Sequence, residues 1–179
     1  MKQTGISARV AMLGVLTALA FILGYLESLI PSFTGIPGVK AGFANIVTMT
    51  ALFLPVSSVR NDRLPCISNL LCAFGISLIR ILLGGITYNG MSAALYGLAG
   101  AVFSLLIMFL LARTGIFSIT AVSAAGGVAH NAAQLALAVL ILGDAVFYYL
   151  PVLIITGLIA GVCIGLLASL LIRRLRTRI

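Results

Sequence analysis

The sequence predicts an all-α, multi-pass membrane protein, a bundle of six transmembrane helices with both termini in the cytoplasm. Three observations predict this fold class. Of the 179 residues, 62% are hydrophobic and only 8% are charged, whereas soluble domains carry about 25% charged residues. The apolar residues form six long segments, and roughly 20 apolar residues are enough to cross a bilayer. The basic residues separate to one side of the membrane only if there are six crossings.

The first three crossings are predicted over residues 8–30, 41–56 and 64–83. The first ends before Pro31, because the residue that precedes a proline is disfavoured in a helix. The third begins beside Pro65, since a proline lacks an N–H that would be unpaired in the first helical turn anyway.

The last three crossings are predicted over residues 92–112, 117–142 and 147–172. Almost the whole chain is then used in crossing the membrane. A soluble fold of this length has too much surface for its volume to hide so many apolar side chains. We therefore predict a single transmembrane domain over residues 1–179.

The placement of lysine and arginine predicts the orientation, because cytoplasmic loops carry an excess of these residues. Six crossings leave Lys40 in an outer loop. The basic residues that fall together on the cytoplasmic side are Lys2, Arg9, Arg60, Arg63, Arg113, Arg173, Arg174, Arg176 and Arg178. An odd number of crossings would divide this set between the two sides.

Small residues recur four positions apart on the first helix, as Gly14 with Ala18 and as Ala20 with Gly24. Such residues allow helix backbones to approach closely in lipid. Two interpretations are open. The four positions pack inside the bundle, or they form a face on which another membrane subunit docks.

Polar side chains from separate segments gather in the outer half of the predicted bundle. We expect Arg80 about one turn from the outer end of the third helix, with Tyr88 and Asn89 in the loop that follows. Ionisable groups inside a membrane usually face a cavity or the bundle interior, so this layer predicts a pocket that is open to the outside. Its candidate substrate-binding residues are Glu27, Lys40, Asn45, Arg80, Tyr96, His130, Asn131 and Gln134.

An arginine offers a planar fork that matches a carboxylate or a phosphate, and Lys40 adds a second positive charge. The predicted ligand is therefore a small anion. Structural roles are the alternatives. Arg80 could extend to the interface or pair with Glu27. The polar residues of the fifth helix, from His130 to Gln134, could hold helices together by hydrogen bonds.

Several kinds of chemistry are excluded. The acidic residues number three, Glu27, Asp62 and Asp144, and their predicted positions do not allow a carboxylate pair for Mg²⁺ or for acid–base catalysis. One histidine and three scattered cysteines do not form a usual zinc site. No basic face with aromatic residues could follow a nucleic acid. We expect neither an enzyme nor a bound metal or cofactor, and no nucleic-acid partner.

Five runs of residues resemble a bacterial membrane-protein family that is described either as heptaprenyl diphosphate synthase component I or as the Gx transporter family. The runs are LESLIP (26–31), PGVKAGFANIVT (37–48), LIRILLGG (78–85), LYGLAGAVFSLL (95–106) and VAHNAAQL (128–135). The family is similar in size and topology to the substrate-binding S components of energy-coupling-factor transporters. The resemblance implies a bacterial cytoplasmic membrane protein. For an S component it also implies docking, through the first helix, on a transmembrane coupling subunit driven by ATPases.

The predicted function is the substrate-binding membrane component of a small-molecule uptake system. Two alternatives are open: a non-catalytic membrane accessory subunit of heptaprenyl diphosphate synthesis, and a carrier that works alone with His130 titrating protons. Prenyl diphosphate synthases need aspartate-rich clusters that hold Mg²⁺. Three scattered acids cannot supply them, so we do not expect this chain to catalyse chain elongation.

Overall fold

A computed structural model describes residues 6–29, 42–53 and 64–176. The described chain is helical throughout and contains no strand, which confirms the predicted fold class. The α-helices are α1 (Ile6–Ser28), α2 (Phe43–Phe53), α3 (Ile67–Gly84), α4 (Met91–Arg113), α5 (Ile119–Leu142) and α6 (Leu150–Arg176).

Local signals explain where α5 begins and ends. The hydroxyl of Ser118 caps the start by accepting a hydrogen bond from the N–H of Ala121 at 3.2 Å, as expected for a serine at this position. Gly143 ends the helix with a φ of 85°, a left-handed conformation that glycine adopts without steric cost. A short 3₁₀ segment, Asp144–Tyr149, then leads into α6.

The end of α3 differs from the prediction. The helix continues without a break into a π-helical segment, Gly85–Asn89, so Tyr88 and Asn89 belong to a helix and not to the predicted loop. Arg80 then lies nine residues before Asn89, about 13 Å along the helix axis. This position is near the middle of the span, much deeper than the predicted single turn from its end.

Five helices of the described chain are long and apolar enough to cross a bilayer. The remaining helix, α2, is described over 11 residues, about 16 Å, against a hydrocarbon thickness of roughly 30 Å. The ends of its predicted span fall outside the described residues. These helices support a multi-pass membrane protein, and the side on which each terminus lies stays a prediction.

The short helix α2 lies at the centre of the bundle. It contacts α1, α3 and α6, while the other main contacts link α1 to α3, α3 to α4, α4 to α5 and α5 to α6. Eight of its 11 residues are buried. Ala51 and Leu52 are completely buried, in a core that also contains Ile76 of α3 and Ile172 of α6. This position explains why α2 carries almost no lipid-facing surface.

Direct contact between backbones joins α5 and α6, which run antiparallel. A Cβ placed on Gly127 would lie 2.2 Å from the carbonyl oxygen of Gly157, and one on Gly161 would lie 2.6 Å from that of Ser123. A Cβ on Gly165 would lie 2.7 Å from the Cα of Thr120. Glycines four residues apart on α6 therefore permit an approach that no larger residue allows.

Candidate functional site

Arg80 projects from the middle of α3 towards α2. Its Nη2 donates a hydrogen bond to the side-chain oxygen of Asn45 at 3.3 Å. Its Nε is buried and has no hydrogen-bond partner within the described part of the chain. A guanidinium carries five N–H donors, so a buried donor without a partner leaves a place for a hydrogen-bond acceptor that the described residues do not supply.

A carboxylate lies close to this guanidinium. Glu27, near the end of α1, is only 7% exposed and interacts electrostatically with Arg80. One of its oxygens accepts a hydrogen bond from the backbone N–H of Gly42. Glu27 therefore acts electrostatically on Arg80, and the pairing of the two side chains stays a prediction. The carboxylate also ties the end of α1 to the start of α2.

Tyr88 covers the same region from the π-helical end of α3. Its ring packs against the rings of Phe21 and Tyr25 on α1, with centroid separations of 5.6 and 5.5 Å. Gly24 leaves room for this arrangement, because a Cβ there would lie 2.8 Å from the Tyr88 hydroxyl oxygen and 3.8 Å from Nη1 of Arg80. Tyr88 and Arg80 are close enough to interact electrostatically.

Asn45 connects Arg80 to a cavity in the bundle interior, which we call the chamber. The chamber has a volume of about 40 Å³, room for a few water molecules and far below the roughly 300–1,000 Å³ of pockets that enclose drug-sized ligands. Its polar lining consists of Asn45, Thr48, Ser77, Ser104, Ser123 and His130. As it stands, the chamber is a small space with a mainly apolar wall and six polar side chains, and not a pocket for a sizeable solute.

His130 of α5 reaches the chamber by packing on Gly100 of α4. A Cβ on Gly100 would lie within 2.8 Å of three atoms of the imidazole ring. His130 and Arg80 interact electrostatically, and Asn45 lies on the chamber wall while it binds Arg80. The structure thus brings together three of the predicted residues, one each from α2, α3 and α5.

The remaining polar residues of the predicted site do not join this group. Asn131 donates a hydrogen bond to the backbone oxygen of Leu153 on α6 at 2.7 Å, which is the interhelical role considered as its alternative. Gln134 and Tyr96 are half-buried, do not line the chamber and make no hydrogen bond within the described chain. Lys40 lies outside the described residues.

The four predicted docking residues divide into two pairs. Ala20 is completely buried and Gly24 packs against Tyr88 and Arg80, so these two residues cannot form a surface for another subunit. That part of the prediction is corrected, and internal packing is the reason. Gly14 and Ala18 lie on the exposed face of α1, and a Cβ on Gly14 would meet nothing within 4 Å.

The hydroxyl groups of the chamber were not among the candidate site residues predicted from the sequence, and Tyr88 was expected only in a loop of the outer layer. Helical spacing offers a signal for the hydroxyls, since residues three or four apart share a face. Thr48 follows Asn45 by three residues, and Ser77 precedes Arg80 by three. The oxygens of Thr48 and Ser77 lie 3.1 Å apart in a buried hydrogen bond between α2 and α3.

Metal binding finds no support in this geometry. No group of three His, Cys, Asp or Glu side chains that could hold an ion occurs in ranges 6–29, 42–53 and 64–176. The ligands available around Arg80 are hydroxyl, amide and imidazole groups, together with one carboxylate that lies beside a positive charge.

A comparison with known families supplies the decisive observation. The family model described as heptaprenyl diphosphate synthase component I matches residues 16–171 of the 179. The chain belongs to this family. The match includes Glu27, Asn45, Arg80 and His130. No curated protein and no solved structure matches the chain.

Membership of the component I family agrees with the absence of an enzymatic role predicted from the sequence, because component I is a non-catalytic subunit. It also supports the resemblance noted for the five sequence runs. The further likeness to S components of energy-coupling-factor transporters, with their coupling subunit and ATPases, stays a prediction.

Proposed function

We propose that this protein is the membrane-embedded, non-catalytic component of heptaprenyl diphosphate synthesis, and that Arg80 binds the diphosphate end of a prenyl diphosphate. The observation that carries the first part of the proposal is the family match over residues 16–171. The second part follows from the chemistry of Arg80 and of the side chains around it.

A long-chain prenyl diphosphate is an amphiphile. Its hydrocarbon chain dissolves in the bilayer, whereas its charged end needs donors and positive charge. Arg80 offers a buried Nε–H without a partner among residues 6–29, 42–53 and 64–176. Hydrogen bonds from a guanidinium to a phosphate are among the strongest in proteins. Lys40, which precedes α2, is proposed as the second cation of this site.

The small number of acidic residues agrees with an accessory role. Only three occur in the whole sequence, and Glu27 is already engaged with Gly42 and Arg80. A synthase that elongates prenyl chains must hold Mg²⁺ with several carboxylates. We therefore propose that a separate prenyltransferase forms the bonds, and that this protein binds the lipid product or substrate at the membrane.

The test measures binding of farnesyl diphosphate and of farnesol, its neutral counterpart, to the purified protein in detergent. We expect Arg80→Ala to weaken farnesyl diphosphate binding by roughly 10- to 100-fold, since a charge-assisted hydrogen bond contributes about 1.5–3 kcal/mol. Farnesol binding should not change. Arg113→Ala is the matched control, because Arg113 is the last residue of α4 and stacks on Phe109 at 5.8 Å.

Equal affinity of wild type and Arg80→Ala for farnesyl diphosphate would contradict the proposed binding role. Co-purification with a prenyltransferase tests the accessory role separately. A protein that binds farnesyl diphosphate but never associates with a prenyltransferase, under conditions where the complex is active, would contradict that role alone.

A second candidate is the substrate-binding component of an anion uptake system. The observation that favours it is the convergence of Arg80, Asn45 and His130 inside the bundle and not on its surface. This candidate requires a transmembrane coupling subunit and ATPases as partners. Uptake into proteoliposomes that depends on ATP hydrolysis would support it, and uptake driven by a proton gradient without ATPases would support a carrier that works alone.

A further inference from the structure

The chamber next to Asn45 contains two hydroxyl groups for which the described residues provide no hydrogen bonds. Ser104 and Ser123 are 7% and 4% exposed, and both line the chamber. Neither hydroxyl makes a hydrogen bond within the described part of the chain, and neither serine has a further polar interaction. The described side-chain atom that is fully buried without a partner is Nε of Arg80, so the two serine oxygens keep some accessible surface where their residues line the chamber. A polar atom at such an enclosed surface needs a hydrogen-bond partner.

Hydroxyls on three other helices, α1, α2 and α6, show how such a group is usually satisfied. Thr17, Thr50 and Thr156 each donate to the carbonyl oxygen four residues earlier, at 2.8, 2.7 and 2.8 Å. This local bond is the common solution for hydroxyls in membrane helices. Ser104 and Ser123 do not use it. Both residues line the chamber.

We propose that the chamber is a binding site for a fixed cluster of water molecules, which satisfies Ser104 and Ser123 and connects His130 to Asn45. This inference is independent of the proposed function, since it concerns the interior of the bundle and not the prenyl ligand. The volume of about 40 Å³ suits a few waters. A buried water typically makes about three hydrogen bonds, and the six polar side chains of the lining offer that many partners.

Water fits the chemistry of the lining better than an ion does. A cation would lie beside Asn45, whose oxygen already accepts a hydrogen bond from the positively charged Arg80, and no carboxylate lines the chamber. A diphosphate needs more space than the chamber has. Hydroxyl groups both donate and accept hydrogen bonds, as water does, so the lining and the cluster match each other.

The first test is a thermal unfolding comparison of Ser104→Ala and Ser123→Ala with wild type. If waters occupy the chamber, each change removes one of their partners, and the midpoint should fall by about 2–4 °C. If the chamber is dry, each change removes a hydroxyl that has no partner, and the midpoint should stay or rise. Ser92→Ala is the matched control, since Ser92 is an exposed serine on the same helix as Ser104.

The second test does not depend on any variant. An experimental structure of the wild-type protein at a resolution that shows water should contain separate density peaks about 2.7–3.2 Å from the Ser104 and Ser123 hydroxyl oxygens. An empty chamber would overturn the proposal. Continuous density for an organic molecule would overturn it as well, because the site would then belong to a solute.

Discussion

At the residue scale, Gly100 of α4 and His130 of α5 are in direct contact. The imidazole occupies the space where any other residue at position 100 would have its Cβ. The contact holds the ring against the chamber and within reach of the charge of Arg80. A small residue on one helix thus determines the position of an ionisable side chain on another.

We expect Gly100→Ala to displace His130 and to lower the free energy of unfolding by about 1–3 kcal/mol, the usual cost of overpacking. Gly97→Ala is the control on the same helix, since its Cβ would lie 3.7 Å from the nearest atom, a carbon of Ile81. It should be neutral or stabilising by up to about 1 kcal/mol. Equal stability of the two variants would show that the position of the His130 ring does not depend on Gly100.

The depth of Arg80 is also decided at this scale. A position one turn from the end of the helix would let the guanidinium reach water, whereas nine residues of further helix place Arg80 near the middle of the apolar span Ile67–Asn89. A charge at that depth is costly unless protein groups surround it. Asn45 and Glu27 supply such groups, so a structural role at the interface does not account for this arginine.

At the element scale, the glycines of α6 form a row at Gly157, Gly161 and Gly165 that faces α5. Each would carry its Cβ within 2.9 Å of α5 atoms, and most of those atoms belong to the backbone. A flexible side chain could move aside, but a helix backbone cannot. If a larger residue replaces one of these glycines, α5 and α6 must move apart.

We expect Gly161→Ala to reduce stability by about 1–3 kcal/mol, because the added methyl group would meet the Ser123 carbonyl oxygen at 2.6 Å. Gly75→Ala on α3 is the control, since nothing lies within 4 Å of its Cβ. The chain has no tryptophan, so the fraction of monodisperse protein that survives heating in detergent is a suitable measurement. A Gly161→Ala protein as stable as Gly75→Ala would contradict the close contact of the backbones.

Helix α2 carries its polar residues into the interior of the bundle. Its two hydroxyl residues, Thr48 and Thr50, and its amide, Asn45, are placed in the interior because the helix contacts α1, α3 and α6. Helical spacing puts Asn45 and Thr48 on one face. It does not indicate that this face meets Ser77 and Arg80 of α3, since that contact depends on how two separate helices pack.

At the scale of the whole molecule, the opposite ends of α5 should lie on opposite sides of the membrane. The positive-inside rule predicts that the end near Arg113 is cytoplasmic and that the 3₁₀ segment Asp144–Tyr149 faces outward. The described helices run alternately in opposite directions, so one observation of sidedness orients all of them.

Cysteine labelling tests this orientation. We expect Ala145→Cys to react with a membrane-impermeant maleimide in intact cells, whereas Thr114→Cys should react only after permeabilisation, because both residues are exposed and flank α5. The wild-type protein is the control for background from its own cysteines, Cys66, Cys72 and Cys163. The reverse labelling pattern would show that the bundle is inserted the other way round.

Composition and helical periodicity were enough to predict an all-helical membrane bundle, because the bilayer requires long apolar helices wherever the chain crosses it. They also singled out Arg80, Asn45 and His130 as polar groups in an apolar setting. Packing between helices decided the rest: the depth of Arg80, the burial of Ala20 and Gly24, the use of Asn131 as an interhelical link, and the chamber with its serine hydroxyls. The physical reason is that hydrophobicity acts residue by residue along the chain, whereas a cavity or a hydrogen bond between helices exists only once separate helices have taken their positions.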